Sequence, residues 1–247
     1  MKKPVRILLV GSDGRMGQAI IDVAKGDATI DIVGLCEKGD PIEPAISHSD
    51  VVVDFSHADA IDDICRAVSA RKQALIVGTT GHSPEQRRGI ERCAESIPVV
   101  MSSNFSVGVN ALFWLTRKTA ELLGPDFDLE IVEMHHRMKK DAPSGTAVTL
   151  AEILRSQRKI ETTRYGREGN VGERESNEIG IHSIRGGDVV GDHTVIFARG
   201  GERLELTHRA TSRTTFAKGA LRAAHWVMGR PPGLYSMEDV LGLPAAK

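Results

Sequence analysis

Residues 133–146 read Glu-Met-His-His-Arg-Met-Lys-Lys-Asp-Ala-Pro-Ser-Gly-Thr, with two imidazoles and three permanent cations in six consecutive positions. Most basic runs are solvated surface. This one starts at the end of an apolar strand candidate, Leu129–Met134, and stops at Pro143-Ser144-Gly145-Thr146, a helix start whose small residues expose backbone N–H groups. Cations beside unpaired N–H groups suit a small, multiply charged anion. Histidines among them add proton transfer near neutral pH.

A second run, Gly11-Ser12-Asp13-Gly14-Arg15-Met16-Gly17, follows the first apolar segment. Glycines so placed permit a tight turn and a close approach to a diphosphate, and they let the next helix pack on the sheet. The spacing is G-x-x-G-x-x-G rather than G-x-G-x-x-G, so a ligand-free glycine turn is the competing reading. Its position at the first strand-to-helix turn favours the cofactor. Glu37 lies 20 residues beyond Gly17, where a carboxylate accepts hydrogen bonds from ribose hydroxyls. Alone it reads equally well as a solvated side chain. Lys38 is a cation that can meet a 2′-phosphate, so NADH and NADPH are both expected, with no metal. Gly78-Thr79-Thr80-Gly81 and Ser102-Ser103-Asn104-Phe105 end later strands, where open α/β sheets bind ligands; unaided, both would pass for turns.

The elements that must hold these residues fall into two textures. Up to residue 123, β-branched runs at Ile7–Val10, Ile30–Leu35, Val51–Phe55, Leu75–Val77 and Val99–Met101 alternate with helix candidates near 15–25, 58–70 and 84–95. The last of these opens on a Ser83–Gln86 capping box with proline at the first helical position. Alternation of this kind implies a parallel sheet covered on both faces. A very apolar helix candidate, Asn110–Leu123, leads into the strand Leu129–His135, a helix from near Ser144 and a polar tract, 162–177, expected to be a mobile loop. Extended runs at Ile179–Arg185, Val189–Arg199 and Arg203–Arg209 meet at Gly186-Gly187 and Gly200-Gly201, which reads as two hairpins in an antiparallel α+β region. A last helix, about 216–228, puts Ala217, Ala220, Leu221, Ala224 and Val227 on one face.

Bulk properties exclude several classes. With 32 Lys+Arg against 33 Asp+Glu, the net charge of −1 gives no field for nucleic acid or anionic lipid. No segment approaches the roughly 18 apolar residues of a membrane span. Cys36, Cys65 and Cys93 are odd in number and without metal-ligand spacing, which reads as reduced thiols in a cytoplasmic protein.

The 133–146 segment resembles the substrate signature E-x-H-H-R-x-K-x-D-x-P-S-G-T of the dihydrodipicolinate reductase family. The likeness extends over nearly the whole chain: GRMG at 14–17, GTTG at 78–81, SNFSVGVN at 103–110 and HRATSRTTFAKGA at 208–220. Met138 departs from it, standing where family members often carry a further histidine. The resemblance implies a Rossmann-type nicotinamide-binding domain over 1–105, completed by 216–247. It also implies a smaller α+β domain over 106–215, with a mixed or antiparallel sheet, for the substrate and a homotetramer, and a hinge between the two. It implies reduction of a small cyclic dicarboxylate with loss of water. His135 and Lys139 would form the acid–base pair, and His136, Gly145 and Thr146 would hold the carboxylates. Gly11, Ser12, Asp13, Gly14, Arg15, Met16, Glu37, Lys38, Gly78, Thr79, Thr80, Ser102, Ser103, Asn104 and Phe105 would bind the cofactor. Successive strand residues point to opposite faces, so His135 and His136 share a cleft only if the chain leaves extended geometry there. An amino-acid semialdehyde dehydrogenase needs no clamps for two carboxylates, and a dinucleotide sensor needs no such signature.

Overall fold

A computed structural model describes residues 3–37 and 39–244. It divides into two compact units: the chain up to Val107 together with the chain from Arg213, and Gly108–Ser212.

In the first unit, strands β1 (Val5–Val10), β2 (Ile30–Cys36), β3 (Val51–Asp54), β4 (Ala74–Val77), β5 (Pro98–Met101) and β11 (Gly233–Tyr235) form one sheet in the order β11-β5-β4-β3-β1-β2. Every pairing is parallel. Alternate residues feed two cores. Ile7, Leu9, Val51, Val53 and Ile76 pack with helix α1 (Arg15–Ala24), α7 (Thr214–Val227) and α8 (Met237–Leu241). Leu8, Val10, Val52, Leu75, Val77 and Val99 pack with α2 (Ile42–Ile46), α3 (Ile61–Arg71) and α4 (Pro84–Ala94). Strands covered on both faces read as unbroken apolar runs for this reason; burying each such Val, Leu or Ile contributes about 1.5–3 kcal/mol. The α4 capping box forms as expected, with Ser83 Oγ accepting from the Gln86 N–H. Helix α7 turns Ala217, Ala220, Ala223 and Ala224 onto the sheet, all fully buried.

The second unit contains α5, which runs over Val107–Leu123, then β6 (Asp128–His135), α6 (Gly145–Arg158), β7 (Thr162–Tyr165), β8 (Glu178–Arg185), β9 (Gly191–Arg199) and β10 (Glu202–Ala210). The five strands are ordered β10-β9-β6-β8-β7. Leu129, Ile131, Ile179, Ile181, Val195 and Phe197 share one face and pack under α5 and α6.

Three expectations are corrected here. The sheet is mixed rather than antiparallel, because β6 pairs parallel with β8 and antiparallel with β9. Residues Gly186-Gly187 therefore make no hairpin. Strand β6 takes the centre of the sheet, and the chain from β8 to β9 crosses its end. Gly200-Gly201 does close a hairpin, with Arg199 opposite Glu202 and Gly201 at φ +91°. Last, 162–177 is no unanchored loop: its first four residues form edge strand β7 against β8. Beyond them Arg167 and Arg174 reach Glu130 at 2.8 and 3.0 Å, and Arg174 also pairs with Asp128 at 2.7 Å. Those ion pairs hold the Glu130 carboxyl down at about 2 against the burial that would raise it. Among the described residues no helix is long and apolar enough to cross a membrane.

Candidate active site

In the first unit the glycine turn joins β1 to α1 at the point where the strand order reverses, the usual ligand crevice of an open α/β sheet. Gly11 has φ +83°, and a Cβ there would stand 2.5 Å from the Phe55 carbonyl oxygen. A Cβ on Gly17 would fall 2.3 Å from the Gly11 oxygen, so α1 starts pressed against the turn. No side chain caps α1 at Gly14, which leaves its first N–H groups to an anion. Gly17→Ala is accordingly expected to lower stability by about 1–3 kcal/mol through overpacking and to weaken nucleotide binding. A denaturant midpoint equal to that of the parent would show that α1 shifts at no cost.

The turn opens on a cavity of about 680 Å³ that Gly11, Gly14 and Glu37 help to line. Glu37 Oε1 accepts from Ser12 Oγ at 2.7 Å and from the Asp13 N–H at 2.6 Å. Its own N–H donates to Asp40 Oδ2 at 2.8 Å. The carboxylate is thus fixed from two sides beside the glycines. Lys38 lies outside the described residues.

At the neighbouring strand ends Thr79 is buried and Thr80 exposed, while a Cβ at Gly78 would strike the Phe55 ring at 2.2 Å. Ser102 Oγ donates to the Asn104 carbonyl at 2.7 Å, and Asn104 Oδ1 accepts from the Ser106 N–H at 2.8 Å. Phe105 is 2% exposed and meets Phe55 edge to face at 5.5 Å, so its ring belongs to the core and only its backbone is left for a ligand. Asp54 and His82 are buried titratable groups that the sequence did not single out; burial pushes the Asp54 carboxyl up and the His82 imidazole down.

In the second unit, Glu133 and His135 continue the row that Leu129 and Ile131 begin on β6, so an apolar face turns polar at one end. The register places Ser183 of β8 and His193 of β9 beside Glu133. It places Arg185 beside His135. Glu133 is fully buried and accepts from His135 Nδ1 at 2.6 Å, from the two terminal Arg185 guanidinium nitrogens at 2.8 Å and from the Ser144 N–H at 3.2 Å. Burial would raise its pKa, but hydrogen bonds from His135, Arg185 and Ser183 reverse this and hold the carboxyl well below its ordinary range. An ionised Glu133 only accepts, so His135 Nδ1 carries a proton, and Nε2 is the ring nitrogen left to exchange one. Nε2 faces Gly191, where a Cβ would approach to 2.9 Å; glycine makes room for the imidazole.

His193 stands edge-on to His135 at 5.1 Å and bonds Ser144 Oγ at 2.9 Å. Burial first, then the His135 charge, lower its pKa to about 3, so it stays neutral. Ser144 also caps α6, accepting from the Ala147 N–H. Thr146 is buried, whereas a Cβ on Gly145 would meet nothing within 4 Å, so the start of α6 faces open space. Extended geometry ends at His135. A turn follows in which the Lys139 N–H donates to the His136 carbonyl at 3.1 Å, and this meets the demand set by two adjacent histidines. Lys139 Nζ pairs with Asp141 at 2.9 Å, and Met138 is 76% exposed.

The sequence reading missed Glu133, Arg185 and His193. Period-2 spacing from His135 carried a signal for Glu133. The other two arrive only through strand pairing.

An all-parallel sheet with a glycine turn at its switch point and a clamped carboxylate after the second strand defines a Rossmann-type dinucleotide-binding protein, here joined to an α+β unit with a histidine–cation cluster. The family described as dihydrodipicolinate reductase matches by its N-terminal model over residues 5–105 and its C-terminal model over 108–241. The chain belongs to that family. The 4-hydroxy-tetrahydrodipicolinate reductase of Akkermansia muciniphila is 55% identical, covering 97% of this chain and 98% of its own. That of Myxococcus xanthus is 43% identical over 96% and 98%. A dipicolinate-bound dihydrodipicolinate reductase from Paenisporosarcina sp. TG-14 shares the fold, with TM-score 0.75 at 23% identity over 94% of this chain and 97% of that one.

Proposed function

We propose that the chain reduces 4-hydroxy-tetrahydrodipicolinate to tetrahydrodipicolinate with NADH or NADPH, in the diaminopimelate route to lysine. One hydride and one proton enter and one water leaves. The bound nicotinamide supplies the hydride; the protein must hold two carboxylates and manage the proton. The observation that carries this reading is the polar end of β6, where His135 bonds the ionised Glu133 close to the open start of α6.

In this reading His135 Nε2 and Lys139 Nζ exchange protons with the ring and its leaving hydroxyl. Glu133 and Arg185 orient His135. His136 and the Gly145 and Thr146 N–H groups take the carboxylates. The first unit binds the cofactor through Gly11–Met16, Glu37, Lys38, Gly78–Thr80 and Ser102–Phe105, and the second unit serves the substrate. A homotetramer is supported by the sheet face away from the helices, where Val132, Met134, Thr194 and Ile196 are half-buried and Ile184 is 46% exposed. The buried free thiols Cys36, Cys65 and Cys93 suit a cytoplasmic setting.

The test is loss of NAD(P)H absorbance with enzymatically generated substrate; no loss with either cofactor rejects the reading. Pyridine-2,6-dicarboxylate is also expected to compete with substrate. The monocarboxylate should bind more weakly by about 1.5–3 kcal/mol, one charge-assisted hydrogen bond, and equal inhibition by the two would rule out a double clamp.

A further inference from the structure

We infer that His193 is a positioning residue for the substrate. Through the Ser144 hydroxyl it fixes the start of α6, whose Gly145 and Thr146 N–H groups take a carboxylate in the functional reading above, on which this role rests. Ser144 is 2% exposed and gripped from two neighbouring strands. Its N–H donates to Glu133 Oε1 on β6 at 3.2 Å, and its Oγ meets His193 Nε2 on β9 at 2.9 Å. Glu133 and His193 stand opposite each other in the β6–β9 register. One row across the sheet therefore holds both the N–H and the hydroxyl of the residue that opens the helix, and any shift of Ser144 carries Gly145 and Thr146 with it.

The direction of the bond to His193 follows from the hydroxyl's single proton. Ser144 Oγ already accepts from the Ala147 N–H at 3.2 Å. Its proton still needs an acceptor, because a buried donor left unpaired is costly. His193 Nε2 is the acceptor in reach, which puts the ring's own proton on Nδ1 and leaves the imidazole neutral. A protonated ring would have no lone pair to offer. Burial keeps the ring neutral against the pull of Glu133, and the charges of His135, His208 and Lys139 around it act in the same sense as burial. Among the described residues Nδ1 has no hydrogen-bond partner, so the polar contact of this imidazole goes to Ser144. A ring held neutral is no reservoir of protons; it acts by where it holds its partner.

Calorimetric titration of the whole chain with pyridine-2,6-dicarboxylate in the presence of NADH tests this, together with steady-state kinetics. His193→Leu is expected to weaken the dicarboxylate and raise the substrate KM by about tenfold, with kcat within about threefold of the parent and NADH affinity unchanged. His193→Gln, whose amide oxygen can accept from Ser144, should restore both to within about threefold of the parent. In a Ser144→Ala chain, His193→Leu should change binding by less than about twofold, since its partner is already gone. In the parent chain, which needs no variant to fold, imidazole nitrogen NMR should show His193 as the neutral Nδ1–H tautomer between about pH 6 and 8. A dicarboxylate affinity unchanged in His193→Leu overturns the inference. So does a loss that glutamine does not restore, a loss that falls on kcat instead, an undiminished effect in the Ser144→Ala chain, or an Nε2–H or protonated ring. If the parent binds no dicarboxylate, the functional reading falls and this role with it, a result distinct from parent binding that His193→Leu leaves intact.

Discussion

Lys139→Ala is expected to lower kcat by about 10²–10⁴-fold, the range for loss of a proton donor, with cofactor affinity unchanged. The side chain is 20% exposed and held by Asp141 at 2.9 Å, just past the turn that ends β6. A lysine that merely steers the anionic substrate would behave differently: its loss raises KM and responds to ionic strength. Lys140 is exposed two residues after the turn, so Lys140→Ala should show at most that steering pattern. If Lys139→Ala keeps its kcat and only KM rises, the proton comes from His135 or water, and Lys139 is a binding residue.

Replacing Glu133 should have the largest effect on stability. Glu133→Gln keeps the shape but removes the charge that faces Arg185 and His135 inside the fold. Breaking a buried pair from one side costs about 3–5 kcal/mol, because the remaining charge is left uncompensated. Chemical denaturation measures that loss, and a change below about 1 kcal/mol would show that Arg185 finds another partner or water.

The same network makes a pH prediction. Glu133 and Glu130 both titrate lower in the fold than in the unfolded chain, Glu130 at about 2. Their contribution is therefore complete above the ordinary carboxylate pKa of about 4.3 and is lost as pH falls from there towards 2. Glu133→Gln should flatten the acid limb of the stability profile. An unchanged limb would place the acid sensitivity elsewhere.

How much of this was written in the sequence depends on whether the signal was local. β1, β3, β4 and the α4 capping box rest on neighbours in sequence, and they stand where those neighbours put them. β11 is three residues long, and α2 and α8 are five each, too short for any period to show. The Gly186-Gly187 segment carried a true turn signal with the wrong partner, since nothing near residues 186–190 says that β6 separates β8 from β9. The site divides along the same line. His135, His136 and Lys139 sit in one run, whereas Arg185 and His193 reach it from other strands by register. Phe105 shows the opposite failure: it lies in a ligand-type loop, yet its ring is core.

The crossing from β8 to β9 leaves the end of β6 bound to a segment far from it in sequence. The Gly186 N–H donates to the His135 carbonyl at 3.0 Å, the His136 N–H to Val189 at 2.7 Å and the Arg137 N–H to Gly187 at 3.2 Å. Three consecutive residues of the 133–146 run thus have their main chain tied to residues 186–189. These amides cannot exchange with solvent unless the crossing opens, so protection at His136 and Arg137 reports the integrity of a distant connection. For protein engineering, this connection is a remote handle: changing its length or its glycines adjusts where the two histidines stand while every residue of the 133–146 run stays the same.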